Sequence, residues 1–177
     1  HLRIYKKSLW RISGICDRQE INSQLENLLI YGTYPAVVAA SSIEEKTILL
    51  KQLVADYLYK DVLSFDRVRK SENIKRFTEA ISLQTGSELA NLLQIGKQTA
   101  MSYLDILEQG FILFRLTSFS RNLRQEINRS RKIYFLDTGV RNVLINNLNP
   151  LSLRNDIGAL WENFVIAEKY KQQLGLG

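Results

Sequence analysis

Apolar positions recur at helical spacing in several stretches of the chain and read as strands in two. Ile21, Leu25, Leu28 and Leu29 share one face of a helix predicted from Glu20 to Tyr31, which Gly32 and Pro35 break. Ser41 or Ser42 caps the next helix, with Glu44 and Glu45 in the first turn, where the helix dipole favours acids. Its apolar positions Ile48, Leu49, Leu53, Leu58 and Val62 carry it to about Leu63. Ser71 opens a further helix through Ile74, Phe77, Ala80 and Ile81, stopping near Gly86.

A compact block follows. Ser87 caps a helix holding Leu89, Ala90, Leu92 and Leu93, and the link Gln94-Ile95-Gly96 has room only for a sharp turn. A second helix runs from Lys97 to about Glu108, which is helix-turn-helix spacing. Gly110 ends it, Phe111 to Thr117 alternates as a strand, and Ile133 to Leu136 forms the returning strand. The expected class is therefore mainly α (α+β): a helical segment, a winged helix-turn-helix with a small β-hairpin wing, and a C-terminal helix from Ile157 to about Gln172. The expected divisions are 1–15 as the exit from a preceding domain, 16–70 as a helical segment, 71–136 as the winged helix, and 137–177 as the start of a further domain.

Composition narrows the functions available. At 177 residues and 45% apolar content the chain can bury one core or two small ones. No apolar run approaches the roughly 18 residues that a membrane crossing needs, and no export signal is present, so no membrane partner and a cytoplasmic location are expected. Cys16 and His1 are the sole residues of their kinds, which leaves no Cys/His metal cluster and no Cys-His or Ser-His catalytic pair. Met101 is the only methionine and the chain closes on Leu174-Gly175-Leu176-Gly177, so it reads as a fragment.

Charge placement says more than the net +6. From Arg115 to Lys132, Arg115, Arg121, Arg124, Arg129, Arg131 and Lys132 face a single acid, Glu126, a balance of +5. Such a cluster suits a polyanion. The candidate nucleic-acid contacts are Lys97, Gln98, Thr99 and Ser102 on the outer face of the second helix, with Arg121, Arg124, Arg129, Arg131 and Lys132 on the wing. Ile95, Ala100, Leu104 and Leu107 would face inward; Met101 and Asp105 would face out, where Asp105 opposes a phosphate backbone. The other reading makes the block a packing or docking module whose arginines pair with the acids of a neighbouring domain.

Two motifs resemble catalytic ones and fail. Gly96-Lys97 lacks the rest of G-x-x-x-x-G-K-[ST]: Asn91 stands at the first glycine position, Gln98 follows the lysine, and the preceding residues are helical, with their amides already used. Asp137-Thr138-Gly139 is the triplet of aspartic proteases, which need two aspartates sharing a proton; helical spacing resumes at Val140, Val143 and Leu144, so Asp137 is expected to cap a helix. Asp61 and Glu162 each lie on a helix near an apolar face.

Taken in order, "IYGTYPAVV" (Ile30 to Val38, with Tyr34 and Pro35), "YLYKDVL" (Tyr57 to Leu63, with Asp61), Glu88 to Ile112, "KIYFLDTGV" (Lys132 to Val140) and "GALWENFVIAEKY" (Gly158 to Tyr170) resemble the region after the ATPase core in a group of bacterial and archaeal AAA-type ATPases. The resemblance covers essentially the whole chain. It implies a missing N-terminal domain that binds ATP and magnesium, a winged helix, and a terminal domain similar to restriction-endonuclease-like nucleases. Trp161-Glu162-Asn163 would open that last domain, while the aspartate and Glu-x-Lys that complete its metal site would follow residue 177. The chain itself is then expected to have no catalytic activity and no cofactor, and to bind DNA, its own ATPase domain or a partner protein.

Overall fold

The structure, a computed structural model, describes residues 18–56, 78, 81, 97–116 and 132–175. Among them are six α-helices and one two-stranded antiparallel sheet: α1 (Arg18–Tyr31), α2 (Pro35–Ala39), α3 (Ile43–Leu53), α4 (Lys97–Gln109), β1 (Leu113–Leu116), β2 (Lys132–Phe135), α5 (Thr138–Leu144) and α6 (Ile157–Gln173), with a 3-10 turn at Leu151–Leu153. The class is α+β with helix predominant. Among the described residues no helix is long and apolar enough to cross a membrane.

Helix ends follow their local chemistry. Tyr34-Pro35 does more than break α1: proline at the first helical position starts α2, a helix that hydrophobic spacing did not reveal. Ser42 caps α3 by accepting the Glu45 N–H at 3.1 Å, and the Glu45 carboxylate accepts the Ser41 N–H at 2.9 Å in return. α4 ends at Gln109 with Gly110 as its cap. The left-handed position then falls on Phe111, at φ 53°, with Phe111 and Ile112 bonding back to Glu108 and Leu107.

The ribbon β1–β2, in register Leu113↔Phe135 to Leu116↔Lys132, lies in the middle of the packing. Leu113, Ile133 and Phe135 face α4 and α5 through Tyr103, Leu104, Leu107, Val140 and Leu144, joined by Val54 and Ile81. Phe114, Tyr134 and Leu136 face α6, where Phe114 stacks on Tyr170 with ring centroids 4.0 Å apart. Both faces being covered explains why the strands read as nearly unbroken apolar runs. Ile30, Tyr31, Val37 and Leu50 form a smaller cluster among α1, α2 and α3.

Each outer edge of the ribbon is closed by a side chain from a helix. The Glu108 carboxylate accepts the Arg115 N–H at 3.1 Å on the β1 edge. On the β2 edge the buried Asn163 amide accepts the Phe135 N–H at 2.9 Å and donates to the Phe135 carbonyl at 2.8 Å.

The described residues on either side of Leu136 share the core of α4, the ribbon and α5. The divisions expected at 15/16 and 70/71 lie outside the described residues, as do the helix expected from Ser87, the 94–96 turn and most of the helix expected from Ser71; Thr78 and Ile81 of the latter are helical and fully buried.

Candidate functional site

α4 separates its faces as an amphipathic helix does. Ala100, Tyr103, Leu104 and Leu107 are buried, while Gln98, Thr99, Met101, Ser102 and Asp105 are exposed. Lys97 opens the helix. Three of the expected polar contacts, Gln98, Thr99 and Ser102, are thus presented to solvent.

The C-terminal half of that face is not available in the way the charge count suggests. Arg115 turns back from β1 onto α4: its Nε donates to Glu108 at 2.8 Å and its Nη2 to Asp105 at 2.7 Å, with a second, closer contact to Glu108. Its side chain is only 12% exposed, so this guanidinium is spent inside the molecule. Asp105, exposed beside it, is neutralised by the same pairing.

On β2, Lys132 is exposed and pairs with Glu162 of α6 at 3.0 Å. The hydroxyl of Tyr134 donates to the same Glu162 oxygen at 2.7 Å. These donors hold the Glu162 carboxyl below its ordinary range, the tyrosine bond contributing most and Lys132 next. Burial and the neighbouring carboxylate push the Tyr134 hydroxyl up. Arg121, Arg124, Arg129 and Arg131, like Asp61, lie outside the described residues.

Two of the motif residues, Asp137 and Gly139, meet the end of α1 at a structural joint. The buried Asp137 carboxylate caps α5 through the Val140 N–H at 3.1 Å, and its other oxygen accepts the Thr33 N–H at 2.7 Å and the Thr33 hydroxyl at 3.1 Å. Burial raises its pKa, against the Thr33 bonds and the charge of Lys171. Gly32, at φ +78°, brings the turn against that carboxylate: a Cβ there would sit 2.0 Å from Asp137 Oδ1. A Cβ on Gly139 would sit 2.2 Å from the Tyr31 carbonyl oxygen, so α5 approaches the end of α1 backbone to backbone. Tyr34 packs between the two helical clusters and Pro35 begins α2. Asn163 and Glu162 tie α6 to β2 as described.

Sequence reasoning passed over a buried polar network beside this joint. The Asn142 amide donates to the Leu29 and Ile30 carbonyls at 3.0 and 2.8 Å, satisfying acceptors that the end of α1 leaves open. Arg154, fully buried, forks onto Asp156 with two bonds of 2.8 Å, and Arg141 reaches the same carboxylate at 2.8 Å. Burial alone would raise the Asp156 carboxyl; the bonds from Arg154 and Arg141 outweigh it and lower the pKa to about 2. Arg141 Nε is buried without a hydrogen-bond partner among the described residues. Nothing in an isolated Arg141 or Arg154 marks it in sequence as inward-facing.

Among the described residues no group of three or more His, Cys, Asp or Glu converges as metal ligands would. What the described residues offer chemically is an exposed polar helix face, a ribbon whose two cations are each paired with a helix carboxylate, and a rigid joint behind them.

A family model described as "Domain of unknown function (DUF8612)" matches residues 22–151, well over half of the chain. The "Uncharacterized protein Rv2008c" of Mycobacterium tuberculosis is 28% identical over 167 residues, covering 90% of this chain and 38% of the relative. The "Uncharacterized protein Mb2031c" of Mycobacterium bovis matches to the same extent. The "Uncharacterized protein MJ1544" of Methanocaldococcus jannaschii is 25% identical over 165 residues, covering 86% of this chain and 35% of the relative. The chain therefore spans less than two-fifths of the length of these relatives. No solved structure matches at a significant level.

Proposed function

The chain belongs to the DUF8612 family, and from that premise we propose that it is part of a longer AAA-type ATPase in which residues 71–136 act as a winged helix that contacts duplex DNA. In this reading α4 is the recognition helix, β1 and β2 are the base of the wing, and the unit couples the nucleotide state of the cytoplasmic parent protein to DNA. ATP and magnesium belong to a domain outside this chain, which itself catalyses nothing.

The observation that carries the reading is a juxtaposition. The N-terminal half of α4 exposes Gln98, Thr99 and Ser102, and it feeds directly into a ribbon. The segment joining the strands holds Arg121, Arg124, Arg129 and Arg131 against Glu126 alone, a balance of +3 once Arg115 and Lys132 are set aside as internally paired. Phosphate contacts by such arginines make affinity fall steeply with salt, by a slope of about 0.9 per phosphate.

The test is binding of the chain to duplex DNA across a salt series, with Lys97, Gln98, Arg121 and Arg124 each replaced by alanine. The expected result is a steep slope and lost affinity at all four positions. Absence of binding at low salt ends the DNA reading.

A second reading, docking onto the ATPase domain or a partner protein, is favoured by one feature. Arg115 is drawn onto Asp105 and Glu108, which leaves the C-terminal half of the α4 face without a free cation for a phosphate, and Phe111 beside it is 58% exposed. A DNA-inactive chain that binds the separately produced ATPase domain supports this reading.

A further inference from the structure

The two cations at the base of the ribbon are held differently. Arg115 is mostly buried and contacts both Asp105 and Glu108, so it belongs to α4. Lys132 is about half exposed, and its partner Glu162 is exposed to a similar degree. An exposed pair of this kind is worth little, about 0–1 kcal/mol, because water competes well for both charges. It can be exchanged at almost no cost to the fold.

We propose that Glu162 stands in for a DNA phosphate, occupying Lys132 in the free protein and surrendering it when a duplex reaches the base of the wing. The inference rests on the DNA reading above and adds its regulation: the ribbon's contact with DNA is exchanged against one of its ties to α6. Glu162 does not become an orphan in the exchange, because the Tyr134 hydroxyl, 2.7 Å away, still donates to it. Nor does α6 detach, since Asn163 keeps its two bonds to Phe135. Only the ion pair changes hands, leaving a carboxylate that takes up a cation from solution. That uptake cancels the counterion released from the phosphate, so Lys132 adds nothing to the salt slope while Glu162 is present.

The experiment measures binding of a duplex oligonucleotide across a salt series by the full chain, Glu162→Gln, Lys132→Ala and the double variant. Glutamine keeps an acceptor for Tyr134 but releases Lys132. The expected result for Glu162→Gln is binding about 2- to 5-fold tighter at low salt, with a slope steeper by about 0.9. In the Lys132→Ala background the same change has no effect. Glu162→Asp keeps the charge and shortens the reach, and gives intermediate values. If the wild-type chain binds DNA but Glu162→Gln leaves affinity and slope unchanged, or gains as much without Lys132, the exchange is overturned and the DNA reading stands. If the wild-type chain does not bind, both fall.

Discussion

Replacing Asn163 by alanine removes the amide that closes the outer edge of β2. Its side chain is fully buried and makes both bonds to Phe135. The replacement orphans one buried N–H and one buried C=O, each costing about 1–3 kcal/mol, for a loss on the order of 2–6 kcal/mol. Water entering the vacated space brings the expected value into the lower half of that range, about 3 kcal/mol. Against a total stability of about 5–15 kcal/mol this is a large fraction. Urea unfolding followed by far-ultraviolet circular dichroism reads it directly: with a slope of about 2 kcal/mol per molar, the midpoint drops by about 1.5 M. A companion variant, Asn163→Asp, keeps the acceptor for the Phe135 N–H but sets a second acceptor against the Phe135 carbonyl. Burial and that carbonyl raise the folded-state pKa of the new aspartate above about 3.9. Its stability contribution is then present at low pH, where the protonated acid donates to the carbonyl, and is lost as pH rises through the folded pKa. A midpoint shift below about 0.3 M for Asn163→Ala, or an aspartate variant that weakens relative to wild type on acidification, refutes the clamp.

Three further outcomes follow from positions described above. Phe111→Gly relieves the left-handed backbone at φ 53° and raises the melting temperature by about 2–4 °C, a gain of up to about 1 kcal/mol; a lowered temperature in a thermal scan contradicts it. Gly139→Ala drives a methyl group to 2.2 Å from the Tyr31 carbonyl oxygen, and because that neighbour is backbone the cost is about 3 kcal/mol, on the order of 6–12 °C in melting temperature; a change within about 1 °C overturns the close approach. Asp156, held at about 2 by Arg154 and Arg141, contributes stability that is full above about pH 4 and is lost as pH falls towards 2, on the order of 2 kcal/mol. Urea midpoints between pH 5 and 2 should fall less steeply in Asp156→Asn, and an unchanged slope assigns the acid loss elsewhere.

Elements built from neighbouring residues were legible in the sequence. The spacing of Leu25, Leu28 and Leu29 and of Ala100, Leu104 and Leu107 locates α1 and α4, the Ser42 and Asp137 caps mark their helices, and the short apolar stretches after Gly110 and Lys132 locate the ribbon. What escaped depends on distant partners. Arg115 counts as one more cation in a basic run until it folds back onto Glu108 and Asp105, at the end of α4 and about one turn before it. Arg141, Arg154 and Asp156 look like solvated charges because a buried guanidinium has no local signature. Gly139 reads as part of a catalytic triplet, whereas its lack of a side chain serves the contact with Tyr31, more than a hundred residues away in sequence. α2 is hidden in the pattern because the proline that ends one helix also starts the next, and five residues are too few to show helical spacing.

The sealing of both flanks of the ribbon has a consequence for how this molecule can be recognised. A bare pair of strands is an open template on which any extended peptide can lengthen the sheet sideways through main-chain bonds. Here an incoming peptide would have to evict a carboxylate from Arg115 on one side or an amide from Phe135 on the other. Such sequence-blind zipping, and the fibrous stacking that grows from it, is blocked at Arg115 on one side and at Phe135 on the other.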